Sequence, residues 1–283
     1  MKLAIASGKG GTGKTTLSVA LAQVWDGPVQ LLDCDVEAPN ASIFLPLENS
    51  TEETVTVPVP RVDSSLCTGC GLCAKHCQFN ALAVAGTSVL IFDELCHSCG
   101  GCTLTCPEKA ITEEPRPIGK IRTGKLGTIQ LTEGRLDIGR AMAPPLIRAV
   151  KKSADPALPV LIDCPPGTSC PMLAAVNGAD YVILVTEPTP FGLNDLELAV
   201  ETTRKLEIPF GVVINRSDAG DDRVVQYCTQ EKIPLLLQIP ESRAIAEAYS
   251  RGESILAAAP ELDQALQKML HSIQKKEIPC NLE

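Results

Sequence analysis

Excess positive charge is missing from this sequence: 25 lysines and arginines stand against 34 aspartates and glutamates, a formal net charge of −9 over 283 residues. That balance argues against an extended cationic surface for a phosphate backbone, and nucleic acid is not the expected partner. No apolar run reaches the roughly 18 residues that read as a membrane span. Nor is there a charged-then-apolar leader, because Leu3 to Ala6 runs straight into glycines and lysines. The chain is expected to be cytoplasmic. Histidine is scarce, at three residues, while the 13 cysteines, in a reducing compartment, are not expected to form a disulfide framework. Apolar residues make up 45% of the chain, enough to give about two ordinary domains a core.

Short apolar runs alternate with helical patterns. Residues 2–7, 29–35, 159–164, 181–186, 210–215 and 234–239 are β-rich, and 15–25, 194–206 and 221–231 read as helices. Runs apolar on both faces and separated by helices predict an α/β, doubly wound fold with a mostly parallel sheet. The alternation stops between Val57 and Glu114. No long apolar run occurs there, the ends carry Pro58, Pro60, Pro115 and Pro117, and eight cysteines lie inside. An inserted domain over 57–114 is predicted, with 1–56 and 115–283 forming the main domain. Residues 119–139, alternating and punctuated by glycine, predict a hairpin returning the chain to the main sheet.

The stretch ASGKGGTGKTTLS, Ala6 to Ser18, fits the phosphate-binding pattern G-x-x-x-x-G-K-[ST] at Gly8, Gly13, Lys14 and Thr15. It follows a strand and opens a helix, which is the context the motif needs. Gly8, Gly10, Gly11 and Gly13, with Thr12 and Thr16, form a cradle whose backbone N–H groups turn inward on a β-phosphate, helped by the helix N-terminus. Lys14 would bridge the β- and γ-phosphates and the Thr15 hydroxyl would bind Mg²⁺. Lys9 is one lysine more than the cradle needs.

That extra lysine, in KGGTGKTT, resembles the deviant P-loop of the MinD/ParA superfamily, which includes the nitrogenase iron protein and the Mrp-type iron–sulfur carriers. The resemblance implies that Lys9 reaches across an ATP-sandwich homodimer to the phosphates in the other subunit. A cation supplied in trans would stabilise charge on the transferring phosphoryl group. It further implies that Asp35, in LLDCD, is the switch I carboxylate orienting the attacking water, with Asp33 near Mg²⁺. Asp163, in LIDCPPGTSC, matches the Walker B aspartate that holds Mg²⁺ through water, and Pro165 to Gly167 form the switch II turn. Asn215 matches the asparagine that contacts the base. ATP or ADP with Mg²⁺ is the ligand so implied. Cobyrinic acid a,c-diamide synthases share this domain but also need a glutaminase cysteine and histidine, for which the three histidines offer no candidate.

The cysteines repeat. Cys67-x2-Cys70-x2-Cys73-x3-Cys77 recurs 29 residues later as Cys96-x2-Cys99-x2-Cys102-x3-Cys106-Pro107, with Ala81 matching Ala110 and Leu82 matching Ile111. A cubane has four irons to cap and one tight loop supplies three thiolates, so the fourth must come from elsewhere. Zinc sites use separated C-x2-C pairs instead. The pattern resembles bacterial two-cluster 4Fe–4S ferredoxins, in which the fourth cysteine serves the other cluster. The resemblance implies an α+β ferredoxin-like insertion holding one cluster on Cys67, Cys70, Cys73 and Cys106 and another on Cys96, Cys99, Cys102 and Cys77. Gln78 departs from the proline usual at that place. His76 and His97 are read as solvated loop residues.

Of the other cysteines, Cys34 and Cys164 fit buried strand ends. Cys170 lies seven residues after Asp163, the offset of one intersubunit cluster ligand in the nitrogenase iron protein, but that protein's second ligand has no match around Gly119 to Gly127. Leu262, Ala265, Leu266, Met269, Leu270 and Ile273 form a helical stripe that packing explains without lipid; Pro279 and Glu283 after it are poor membrane signals. Together the resemblances imply an ATPase that couples dimer closure to electron transfer through two clusters toward an unidentified redox or iron–sulfur acceptor. The alternatives are a cluster carrier, for which the usual C-terminal C-x-x-C is missing and only Cys280 stands near the end, or a positioning ATPase with structural or sensory clusters.

Overall fold

A computed structural model of the chain describes residues 1–140, 142–275 and 277. Its centre is a row of strands, buried in β1 (Lys2–Ala6), β2 (Val29–Asp33), β8 (Val160–Asp163), β9 (Tyr181–Thr186) and β10 (Phe210–Asn215) and half-buried in the edge strand β11 (Leu235–Ile239). Three more, β3 (Glu48–Val62), β6 (Ile111–Leu126) and β7 (Ile129–Leu136), extend it to nine in the order β11-β10-β9-β1-β8-β2-β7-β6-β3. From β11 to β7 every neighbouring pair is parallel, and β6 is antiparallel to both β7 and β3. Parallel strands must be covered on both faces, which is why their residues are apolar in both directions.

Two helical layers supply the cover. Helices α5 (Pro144–Lys152), α6 (Cys170–Val176), α7 (Pro190–Lys205) and α8 (Arg223–Gln230) bury Leu146, Met172, Leu196 and Val224 against Leu32, Ile162 and Val212. On the other face α1 (Lys14–Gln23), α2 (Ala41–Phe44), α10 (Ile255–Ala258) and α11 (Glu261–Gln274) pack on Leu31, Leu161 and Ile183. Each large aliphatic side chain so buried contributes about 1.5–3 kcal/mol. The stripe on α11 buries Leu262, Leu266, Met269, Leu270 and Ile273 in this core. Pro279, Cys280 and Glu283 lie outside the described residues. Among the described residues no helix is long and apolar enough to cross a membrane.

One segment departs from expectation. Residues 57–62 and 111–117, the proline-bearing ends of the expected insertion, lie in long strands without a long apolar run, because β3 and β6 pair antiparallel along a ribbon from Glu48↔Lys125 to Val62↔Ile111. Pro58 faces Pro115 within it. Prolines survive in a strand only where the missing N–H would have faced outward. Strand β3 is the sheet's outer edge, and β7 pairs with β6 only over Gly119 to Leu126, so at the height of Pro115 and Pro117 β6 has no neighbour on its other side. Expected as a hairpin over 119–139, the return is made by β6 and β7 and starts eight residues earlier, at Ile111.

Beyond the ribbon, residues 63–110 carry α3 (Leu72–His76), α4 (Gly101–Thr105), the hairpin β4 (Leu82–Ala85) to β5 (Ser88–Ile91) and a single 3-10 turn, Asp93–Leu95. Gly71 and Gly100 precede α3 and α4 with φ of 77° and 72°, so equivalent points of the sequence repeat adopt the same left-handed backbone. Cys73, Ala81, Leu82 and Ile111 form a small core of their own.

Candidate functional site

The loop between β1 and α1 wraps the end of the sheet, with Gly13 at φ 93° just before the first turn of α1. No side chain caps that helix. Its first amides therefore remain free for an anion. Beside it lies a cavity of about 390 Å³ lined by Gly10, Gly11, Gly13, Lys14, Thr15, Thr16, Asp35 and Asn215. The Lys14 side chain is largely buried. The Asn215 amide donates to the Thr12 carbonyl at 3.0 Å, pinning the loop to the end of β10.

The carboxylates sit one strand over. Asp33 and Asp163 stand at the same register of β2 and β8 and are both fully buried. Burial raises the Asp163 carboxyl to about 6, although Thr15, Lys14 and Ser18 pull it the other way. One of its oxygens accepts from the Ser18 hydroxyl at 3.2 Å; the other is buried with no hydrogen-bond partner. An orphaned carboxylate oxygen beside Thr15 fits a hydrated Mg²⁺. Asp33 is raised well above the usual carboxylate range by burial and by Asp163, and accepts from the backbone N–H of Asp35, Asn40 and Ala41. Its visible work is to tie down the start of α2. Asp35, raised by burial against the pull of Lys14, lines the cavity.

Lys9 does not line the cavity. Its Nζ lies 3.1 Å from Glu187, which also pairs with Arg216 at 3.1 Å. Gly8 closes the loop from behind: a Cβ there would lie 2.1 Å from the Asp195 carbonyl oxygen in α7.

The motif cysteines divide between two small cavities. Cys67, Cys70, Cys73 and Cys106 line one; Cys77, Cys96, Cys99 and Cys102 line the other. Equivalent backbone donors point at sulfur in both repeats, Ala81 N–H to Cys77 Sγ at 3.4 Å and Ala110 N–H to Cys106 Sγ at 3.3 Å. Burial raises the Cys73 and Cys102 thiols. Among the described residues no group of three or more His, Cys, Asp or Glu is placed to hold a single metal ion. A cubane makes a different demand, since its irons occupy separate corners and spread their thiolates around a bulky body. His97 is exposed as expected but not free, because its ring stacks on Phe79 with centroids 3.7 Å apart at the second cavity.

Sequence reasoning missed several cavity residues. Asn40 lines the nucleotide cavity with a buried, unpartnered side-chain oxygen, and Pro240, Glu241, Ser242, Ile245 and Tyr249 form its far wall. Ser242 is the N-cap of α9 (Arg243–Ser250), accepting from Ile245 N–H at 3.4 Å. The S-x-x-I run, Ser242 to Ile245, after an apolar strand carried a weak capping signal and no sign of a ligand. Glu187 had no motif at all.

A family profile described as the CobQ/CobB/MinD/ParA nucleotide binding domain matches residues 3–255. The uncharacterized protein MJ0579 of Methanocaldococcus jannaschii is 31% identical over 262 residues, 90% of this chain and 91% of its own. A cytosolic Fe-S cluster assembly factor Nubp1 homolog of Drosophila pseudoobscura pseudoobscura is 28% identical over 137 residues, 40% of this chain and 44% of its own. The septum site-determining protein MinD from Pyrococcus horikoshii, solved with Mg-ADP, superposes with a TM-score of 0.59 at 22% identity, covering 98% of this chain and 96% of that one.

Proposed function

The chain belongs to the CobQ/CobB/MinD/ParA nucleotide-binding family, and from that premise we propose that it is an ATP-hydrolysing iron–sulfur protein whose homodimer closure controls electron transfer through two 4Fe–4S clusters. One observation carries the reading. The eight motif cysteines divide into two fours, each taking three from one run and the last from the other, which is the division that cross-ligated ferredoxin clusters demand.

Lys14 and the loop amides would hold the β- and γ-phosphates, Thr15 and Asp163 would position Mg²⁺, and Asp35 would accept a hydrogen bond from the attacking water. Bound Mg²⁺ supplies neutralisation of the phosphate charge. Lys9 has a competing carboxylate, Glu187, at 3.1 Å. It becomes available in trans only when a partner's phosphates displace that carboxylate. Hydrolysis then depends on the dimer. Clusters on the two cysteine sets supply one-electron storage, while the chain itself contributes their thiolates and the N–H donors at Ala81 and Ala110.

The test is anaerobic. Iron and sulfide analysis should give about eight irons per chain, and spectroelectrochemistry should show a potential shift with MgATP that disappears in Lys9→Ala. Fewer than four irons, or identical potentials with and without MgATP, would overturn the reading. A cluster-carrier reading is favoured by the likeness to the assembly-factor homolog and by the exposure of Cys70 and Cys99. Rapid loss of clusters to an apo-acceptor would move it ahead.

A further inference from the structure

We propose that Arg140 is the positioning residue through which the nucleotide site acts on the second cysteine set alone, by its ion pair with Glu94. The inference rests on the reading above and names its route.

Nucleotide switches work by ordering a loop through γ-phosphate contacts. Here the loop after β2 carries Asp35 in the nucleotide cavity. The next residue, Val36, accepts a hydrogen bond at 2.8 Å from Leu136 N–H, at the end of β7. Leu136 opens a turn in which Arg140 N–H bonds the Asp137 carbonyl at 3.1 Å and Asp137 N–H bonds the Ile118 carbonyl of β6 at 2.9 Å. From that turn the Arg140 guanidinium reaches both carboxylate oxygens of Glu94, at 3.1 and 3.4 Å. Its Nε is buried without a partner.

Glu94 lies two residues before Cys96, in the 3-10 turn leading to the second motif. Arg116 of β6 also pairs with Glu94, and Arg61 of β3 grips the adjacent Asp93 through two bonds of 2.8 and 2.9 Å. Arginines thus hold this turn from both ribbon strands and from the loop beside Asp35. Among the ion pairs of the described residues, Arg140–Glu94 alone joins residues 63–110 to anything beyond the ribbon. The first motif has no such tie. At the repeat distance of 29 residues, Asp93 and Glu94 correspond to Ser64 and Ser65. The second cavity also leans on the ribbon nearer the main sheet, at Pro58, Pro60 and Glu113, whereas the first touches its far end at Val62 and Ile111. A displacement of the Asp35 loop therefore has a charged contact through which to reach the turn before Cys96, and none to the turn before Cys67.

Hydrogen–deuterium exchange on the anaerobic, cluster-loaded chain tests this, comparing MgADP with Mg²⁺ and a non-hydrolysable ATP analogue. An ion pair this exposed is worth about a two- to fivefold change in a local opening equilibrium. Backbone amides of 92–99 should change by that factor between nucleotides while those of 63–70 do not. Arg140→Ala should abolish the difference, Arg140→Lys should restore part of it, and analogue binding should survive in both because Arg140 does not line the cavity. Glu94→Gln, at a solvent-exposed carboxylate, provides a second disruption that leaves the arginine in place. An unchanged difference in both Arg140→Ala and Glu94→Gln overturns the inference, as does an equal response at 63–70 or none at 92–99. These amides report even if the potentials never respond to MgATP, so loss of the electron-transfer reading and loss of the Arg140 route are separate results.

Discussion

Replacing Gly8 by alanine puts one methyl group where the fold has no room. The new Cβ would lie 2.1 Å from the Asp195 carbonyl oxygen, 2.6 Å from its carbon and 2.7 Å from the Asp195 Cβ. Backbone has to move. Helix α7 cannot simply retreat, because Thr186 and Thr189 hold Gly192 through bonds of 2.9 and 3.0 Å at its first turn. Overpacking costs about 1–3 kcal/mol, and a backbone-on-backbone contact belongs at the upper end. At about 2–4 °C per kcal/mol for a domain of this size, the midpoint of thermal unfolding should fall by roughly 6–12 °C. Gly10 is the control, since a Cβ there meets nothing within 4 Å. Gly10→Ala should melt within about 2 °C of the parent. Thermal unfolding followed by circular dichroism, with and without MgADP, separates the two: Gly8→Ala should lose both stability and the added stabilisation from nucleotide, worth about 2.7 kcal/mol at a hundredfold excess over Kd. A Gly8→Ala midpoint within about 2 °C of the parent would refute the steric reasoning.

Two further outcomes follow from the same geometry. Glu187→Gln should free Lys9 for a partner's phosphates; with a charged hydrogen bond worth about 1.5–3 kcal/mol, ATP-dependent dimerisation should strengthen by about tenfold or more, and unchanged dimer constants in sedimentation would show that the Lys9 contact does not compete. Burial raises the Cys228 thiol to about 11, so it stays neutral as pH rises to 9, whereas Cys170 is exposed. Iodoacetamide at pH 8 should therefore label Cys170 and spare Cys228 in the folded, cluster-loaded chain, and equal labelling by mass spectrometry would contradict that.

Much of the nucleotide site was legible because its residues lie close in sequence or at strand ends. Gly10 to Thr16 are one short segment, and Asp33, Asp163 and Asn215 each end a run that must be a buried parallel strand. The Lys9–Glu187 pair was not legible. It joins residues 178 apart through a turn after β9 that carries no motif. The β3–β6 ribbon was hidden for a different reason. Residues 48–54 are all exposed, so no apolar run marks the strand, and its prolines resemble linker punctuation. Only the pairing partner makes sense of them. The division of the cysteines followed from ferredoxin resemblance, while the serine-for-acid difference between the repeats gained meaning once Arg140 was seen beside Glu94.

An outer strand of 15 residues is ordinarily an invitation to a neighbouring molecule to add one more. Here the invitation is withdrawn along its length: Glu48, Glu52 and Glu53 crowd one end with exposed negative charge, and Pro58 and Pro60 withhold N–H donors toward the other. Nothing can zip onto such an edge from end to end. The chain can thus carry its cysteine-bearing segment on the end of a two-stranded ribbon whose outer edge stays resistant to edge-on aggregation.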